Sequence, residues 1–328
     1  MLINKLKSTK PIDIGSILKE FIIKNYKKES LTEKLNSYFE KINKNRKIIS
    51  QVTETQDDID TITKNIKVLT EYINQLYMIK EKLSLDKEVN SLKIEFTWSE
   101  TIKSSIHYTS TNIFFEIYNV MFNLATLYYN IGVEISKIAA EKNGHKQAFN
   151  YFRIAMYLHN VLKEECQTRI PEKELPLDLF PAHLWYCKTI CEIKGQLEIY
   201  KINKEMNSDK YALNAKLILA ASELYNKARI LAENPQTKEG ANEEILEFLS
   251  NRELFYKAIM YKDLKENARH KFENIGNGYG EMILYQGLCV QTLLECQKNL
   301  KNCGKFVNIE NFEKMLEEEK MKGKICMI

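Results

Sequence analysis

Residues 92–132 constrain this chain more than any other stretch. The segment Leu92-Lys93-Ile94-Glu95-Phe96-Thr97-Trp98 alternates apolar and polar side chains, which predicts one short strand in an otherwise helical sequence. A helix beginning near Asn112 follows it. Within that helix, Phe115-Glu116-Ile117-Tyr118-Asn119-Val120-Met121-Phe122-Asn123-Leu124-Ala125 is apolar on too many sides to lie on a surface. Other helices must enclose it, and the centre of the fold is expected there.

Only five prolines and eleven glycines interrupt 328 residues, so one elongated helical domain is expected rather than two. An apolar fraction of 44% with 28% charged residues suits a chain that buries a large core. Nowhere do about eighteen apolar residues run together, and the N-terminus lacks the apolar core of a secretory signal. A cytoplasmic protein is the expectation. Seven cysteines form no even framework, which agrees with reduced thiols and no disulfides.

Charge is unevenly placed. Residues 1–50 hold 12 Lys/Arg against 5 Asp/Glu, leaving 36 against 39 for the remainder. This basic end reads either as attraction to an anionic membrane or acidic partner, or as lysines scattered over solvated helix faces. No recognition motif or aromatic-interleaved basic patch points to nucleic acid.

Helical spacing recurs along the chain: Ile17, Leu18, Phe21 and Ile22 after a turn at Pro11, then Ile66, Leu69, Ile73, Leu76 and Tyr77 after a polar interval at 53–58. Asn143-Gly144 is expected to turn between the apolar helix and a second one over 148–165. Pro171, Pro176 and Pro181 mark the clearest linker. Helices are then expected over 182–204, from a Ser208-Asp209 cap to 232, over 242–275 and over 279–302. Ala148, Phe152 and Ala155, and again Ala221, Tyr225 and Ala228, carry the small-and-aromatic spacing of tetratricopeptide-like hairpins, without a strict period.

The inventory argues against an enzyme. His183, Cys187 and Cys191 lie at i, i+4 and i+8 and invite a metal reading, but no second ligand cluster accompanies them. Cys289, Leu293, Cys296, Leu300 and Cys303 have the spacing of a packed helical seam. Gly276-Asn277-Gly278-Tyr279-Gly280 lacks the Lys-Ser/Thr ending of a phosphate loop and reads as an interhelical turn. Neither cofactor nor metal is expected. Cys326 stands third from the end, out of register for prenylation.

Phe96-Thr97-Trp98, Phe115-Glu116 and the run 120–125 resemble the signature of the Bro-one domain family of Alix- and rhophilin-like adaptors. Collinear similarity extends to Ile12-Asp13 with Phe21 and Tyr26, to Leu69, Tyr72 and Asn74-Gln75-Leu76, and to residues 148–164. It continues through Ala215-Lys216-Leu217, Tyr279-Gly280-Glu281 and Phe306-Val307-Asn308-Ile309. Tyr157 and His159 depart from the family pattern and imply a repacked helix contact.

The resemblance implies a mainly α, boomerang-shaped domain with tetratricopeptide-like hairpins and a small β-sheet. A single domain over 1–328 is expected: N-terminal helices and sheet at 1–111, a solenoid-like core at 112–302 and a shortened C-terminal segment at 303–328. It also implies a non-enzymatic adaptor that binds the C-terminal amphipathic helix of an ESCRT-III subunit of the charged multivesicular body protein class. Carried onto this chain, partner-facing positions are Tyr200, Leu213 and Leu217, with Lys201 and Lys204 near the groove. From the residues alone, Leu213 and Leu217 equally suit a helix core. A monomer recruited peripherally to endosomal membranes is expected; the alternative is a tetratricopeptide-like or rhophilin-like scaffold for another peptide.

Overall fold

The computed structural model describes residues 5–26, 31–52, 58–83, 94–139, 142–235, 243–300 and 309–326. Among them are ten α-helices and one two-stranded sheet, arranged as two compact units. The first unit comprises Met1–Glu134 and Ile154–Lys188, the second Ile135–Arg153 and Thr189–Ile328. The polar interval at 53–57, residues Leu92 and Lys93, and Phe306-Val307-Asn308 lie outside the described residues.

In the first unit, α1 (Ile14–Tyr26), α2 (Glu33–Gln51) and α3 (Ile59–Leu83) precede strands β1 (Phe96–Ser99) and β2 (His107–Ser110). The expected lone strand therefore has a partner, paired antiparallel with Phe96 opposite Ser110 and Trp98 opposite Tyr108. His107-Tyr108-Thr109-Ser110 escaped notice because a mostly exposed, polar four-residue strand carries no apolar alternation. Strand β1 is buried along its whole length rather than on alternate residues. The N-terminal chain covers its other edge, with Ser99 N–H donating to the Ser8 carbonyl at 2.8 Å and Thr9 bridging Trp98.

Helix α4 (Ile113–Ile138) is the enclosed helix foreseen from its composition. Its one early charge, Glu116, is fully buried and explains the neighbouring motif. Trp98 Nε1 donates to one carboxylate oxygen at 2.6 Å, Tyr72 donates to the other at 2.9 Å, and Arg46 Nε lies 2.8 Å from it. The Arg46 guanidinium sits over the Trp98 ring, 5.4 Å from its centroid. Such a buried charge persists only because cation and donors converge on it.

Helix α5 (Lys142–Arg169) begins earlier than expected, so Asn143-Gly144 belongs to its first turn rather than to a loop. Gly144 is required there because a Cβ would stand 2.8 Å from that of Ala139. The proline-rich interval is also no loose linker. Pro171 and Pro176 precede short 3-10 turns, Glu172–Glu174 and Leu177–Leu179, and Pro181 supplies the first residue of α6 (Pro181–Met206). Asp178 in the second turn is buried against Lys7, whose Nζ is 2.6 Å away, and also accepts from Thr101 N–H at 2.8 Å. The Asn123 side chain bonds both N–H and C=O of Lys7. One lysine of the basic N-terminus is thus a core residue.

The second unit contains the end of α4, the start of α5, most of α6, then α7 (Tyr211–Ala232), α8 (Glu243–Ile275), α9 (Tyr279–Leu300) and α10 (Ile309–Cys326). The α8–α9 turn uses Gly276 and Gly278 at φ of 68° and 112°, conformations that other residues adopt at a cost. Cys289, Leu293 and Cys296 pack with Ala258 and Leu316 into a core, as the seam spacing foretold. Cys303 lies outside the described residues. The C-terminal segment helps close this unit: Glu319 of α10 is buried, 2.6 Å from Lys265 Nζ of α8, and its carbonyl accepts from Gln286 of α9 at 2.6 Å.

Candidate partner-docking face

Helix α7 carries two apolar faces about a third of a turn apart. One side, Asn214, Ala215, Ile218, Ala221, Ser222, Tyr225 and Ala228, is buried. Ser222 donates to the Glu253 carbonyl at 2.9 Å, and Tyr225 stacks on Tyr256 with centroids 5.4 Å apart, so this side is held by α8. The other side carries Leu213, Leu217, Ala220 and Leu224 at i, i+4, i+7 and i+11. Leu213 is 42% exposed, and the remaining three are only partly covered. At a rise of about 1.5 Å per residue these eleven steps make an apolar stripe about 16 Å long.

Helix α6 flanks that stripe. Gln196 Nε2 donates to the Leu217 carbonyl at 2.8 Å, and Asn203 Nδ2 donates to Asn214 Oδ1 at 2.7 Å. Ile199, between them on the same face of α6, is half-buried. Lys227 and Glu192 pair across the two helices at 3.7 Å. Contrary to expectation, Ser208-Asp209 does not cap α7: Lys210 occupies that position without a side-chain cap.

The structure separates the expected site residues into two groups. Leu213 and Leu217 lie on the outward stripe. Tyr200 does not: it is 8% exposed, and its hydroxyl donates to Asp263 of α8 at 3.0 Å. Burial and the neighbouring Asp263 push its phenol pKa far up. Lys204 donates to the same hydroxyl at 2.9 Å and lies over the ring, while its Nζ is 3.8 Å from Asp263. Burial raises the Asp263 pKa, and Lys204 opposes that rise. Lys201 reaches Glu198 at 2.8 Å and Ser136 at 3.1 Å, and Glu198 also holds His145 at 2.6 Å. Tyr200 and Lys204 thus engage α8, while Lys201 reaches α4 and shares Glu198 with His145 of α5. Ala220, Leu224, Gln196, Ile199 and Asn203 went unrecognised, although the Leu-Leu-Ala-Leu spacing was available to read.

Among the described residues no three His, Cys, Asp or Glu side chains converge on a metal position. His183 is buried and driven to a pKa of about 4, chiefly by desolvation, while burial lifts the Cys187 thiol and pushes Cys289 up to about 12. Thiols held so far from ionisation are poor nucleophiles. Trp185 is 43% exposed, with Lys163 Nζ 5.7 Å from its ring centroid.

The sequence matches the BRO1-like domain over residues 1–323, and the chain belongs to this family. It is 22% identical over 307 residues to the ALG-2 interacting protein X of Dictyostelium discoideum, covering 92% of this chain and 35% of that protein. Against the pH-response regulator protein palA/RIM20 of Pyricularia oryzae it is 28% identical over 168 residues, 51% of this chain and 19% of the relative. The chain thus spans about a third or less of these curated relatives. Its fold is similar to a solved ALIX BRO1–CHMP4C complex, with a TM-score of 0.78 at 18% identity over 98% of this chain and 87% of that one. A Bro1-domain structure described as the basis for endosomal targeting gives 0.76 at 18% identity, covering 98% and 83%.

Proposed function

We propose that this chain is a non-catalytic adaptor whose α7 stripe receives the apolar face of the C-terminal amphipathic helix of an ESCRT-III subunit. The observation that carries the reading is the outward Leu213, Leu217, Ala220 and Leu224 stripe, in a family with a member solved in complex with CHMP4C. A helix laid in a groove needs apolar anchors at just such spacing. Full covering contributes about 1.5–3 kcal/mol for an exposed leucine such as Leu213 and a part of that for the half-buried Leu217 and Leu224, so flanking contacts must supply the rest of a micromolar affinity. Tyr200, Lys201 and Lys204 then act by holding α6 in place, with Lys201 and Lys204 adding electrostatic tuning.

In this reading the protein works in the cytoplasm as a monomer, is recruited peripherally to endosomal membranes and serves multivesicular body sorting or membrane scission. No described helix is long and apolar enough to cross a membrane, which accords with recruitment through a partner. Calorimetric titration of the purified chain with an ESCRT-III C-terminal peptide tests the proposal, beside Leu217→Asp. Micromolar binding by the parent and loss in a folded variant are expected. Absence of binding by the parent, or equal binding by the variant, removes the docking mechanism.

A further inference from the structure

The first unit holds an apolar cleft that docking on α7 leaves unused. Helices α1, α2 and α3 leave about 430 Å³ between them, within the roughly 300–1,000 Å³ range of small-molecule sites. Ile22, Phe39 and Ile79 form a buried floor, and the half-buried Leu35 and Leu83 with the exposed Met78 form the sides. Two lysines stand at the rim: Lys34 in the first turn of α2 and Lys82 in the last turn of α3. Neither ammonium has an ion-pair or hydrogen-bond partner among the described residues. The nearby Glu71 is already engaged by Lys41 and Asn45. A cleft that is apolar inside and cationic only at its mouth complements a ligand with the opposite ends.

We propose that this cleft binds a single-chain anionic amphiphile, a long-chain fatty acid, with its tail on Ile22, Phe39 and Ile79 and its carboxylate at Lys34 and Lys82. The site is independent of the α7 face. The lining suits an alkyl chain better than a peptide, because its floor offers no side-chain donor or acceptor to satisfy a buried backbone.

Calorimetry and native mass spectrometry of the full chain with monomeric oleate test this, with oleyl alcohol as the uncharged probe and phosphatidylserine vesicles as the membrane probe. One oleate per chain is expected. Oleyl alcohol, and the double variant Lys34→Glu/Lys82→Glu with oleate, should each bind at least about tenfold more weakly. Met78→Trp, at an exposed position where folding is preserved, should fill the cleft and abolish uptake. Non-stoichiometric oleate uptake, uptake unchanged in both variants, or vesicle binding without saturable oleate binding overturns the proposal.

Discussion

The surroundings of Glu116 and the outer side of α7 are built on opposite terms. Around Glu116, a charge is buried and every close group answers it: Trp98, Tyr72 and Arg46. Along α7, Leu213 is exposed and Leu217 and Leu224 are only partly covered. The first arrangement makes the fold specific, because removing one member leaves the others uncompensated. The second stores unspent hydrophobic free energy, which only a partner can release. On the proposed reading, the Glu116 cluster supports the first unit while the α7 stripe serves recognition in the second.

Breaking the buried cluster should produce the largest effect. Glu116→Gln keeps the shape but leaves Arg46 without its counter-charge, and a loss of about 3–5 kcal/mol is expected in urea denaturation. Retention of parent stability would show that the cluster is not what holds this unit. Leu217→Asp should do the reverse: stability changes by about 1 kcal/mol or less, while binding of the ESCRT-III peptide falls at least about tenfold. Tyr200→Phe separates support from contact. It removes the bond to Asp263, so about 1 kcal/mol of stability should be lost with peptide affinity unchanged; a selective loss of affinity would return Tyr200 to the docking face.

A further test is a pH dependence. His159 is buried against Phe122, with neither ring nitrogen hydrogen-bonded, and burial, reinforced by His183, lowers its pKa to about 3. His183 is lowered to about 4 by burial, with Asp178 acting to raise it and Lys7 to lower it. The unfolded chain takes up these protons first, near pH 6.5. Stability from the pair is therefore fully present above about pH 6.5 and is lost as pH falls toward the folded values. His159→Phe should shrink the acid-side decline in melting temperature, measured as the difference from the parent between pH 7 and pH 5. An unchanged difference would show that His159 does not titrate on unfolding in this window.

Much of the local architecture was legible. The apolar run of α4, the cysteine seam of α9 and the glycine turn before it follow from spacing and backbone freedom alone. The second strand was not, because four mostly polar residues, of which only Ser110 is buried, leave no apolar alternation. Lys7 was not, because a lysine bound to a buried aspartate 171 residues away looks like any other lysine in a basic segment. Asp178 gives no more sign of it, standing among prolines that read as a linker.

The sequence by itself determined the helical character of this protein, its central enclosed helix and its family, since these depend on periodicity and on motifs that survive at low identity. Only the tertiary structure decided which apolar side of α7 faces outward and that Tyr200 turns inward. Both sides of α7 have helical spacing, and periodicity says which residues share a face but not which face a neighbour will cover. That choice belongs to α8, which engages Ser222 and Tyr225, leaving Leu213 exposed and Leu217 only partly covered.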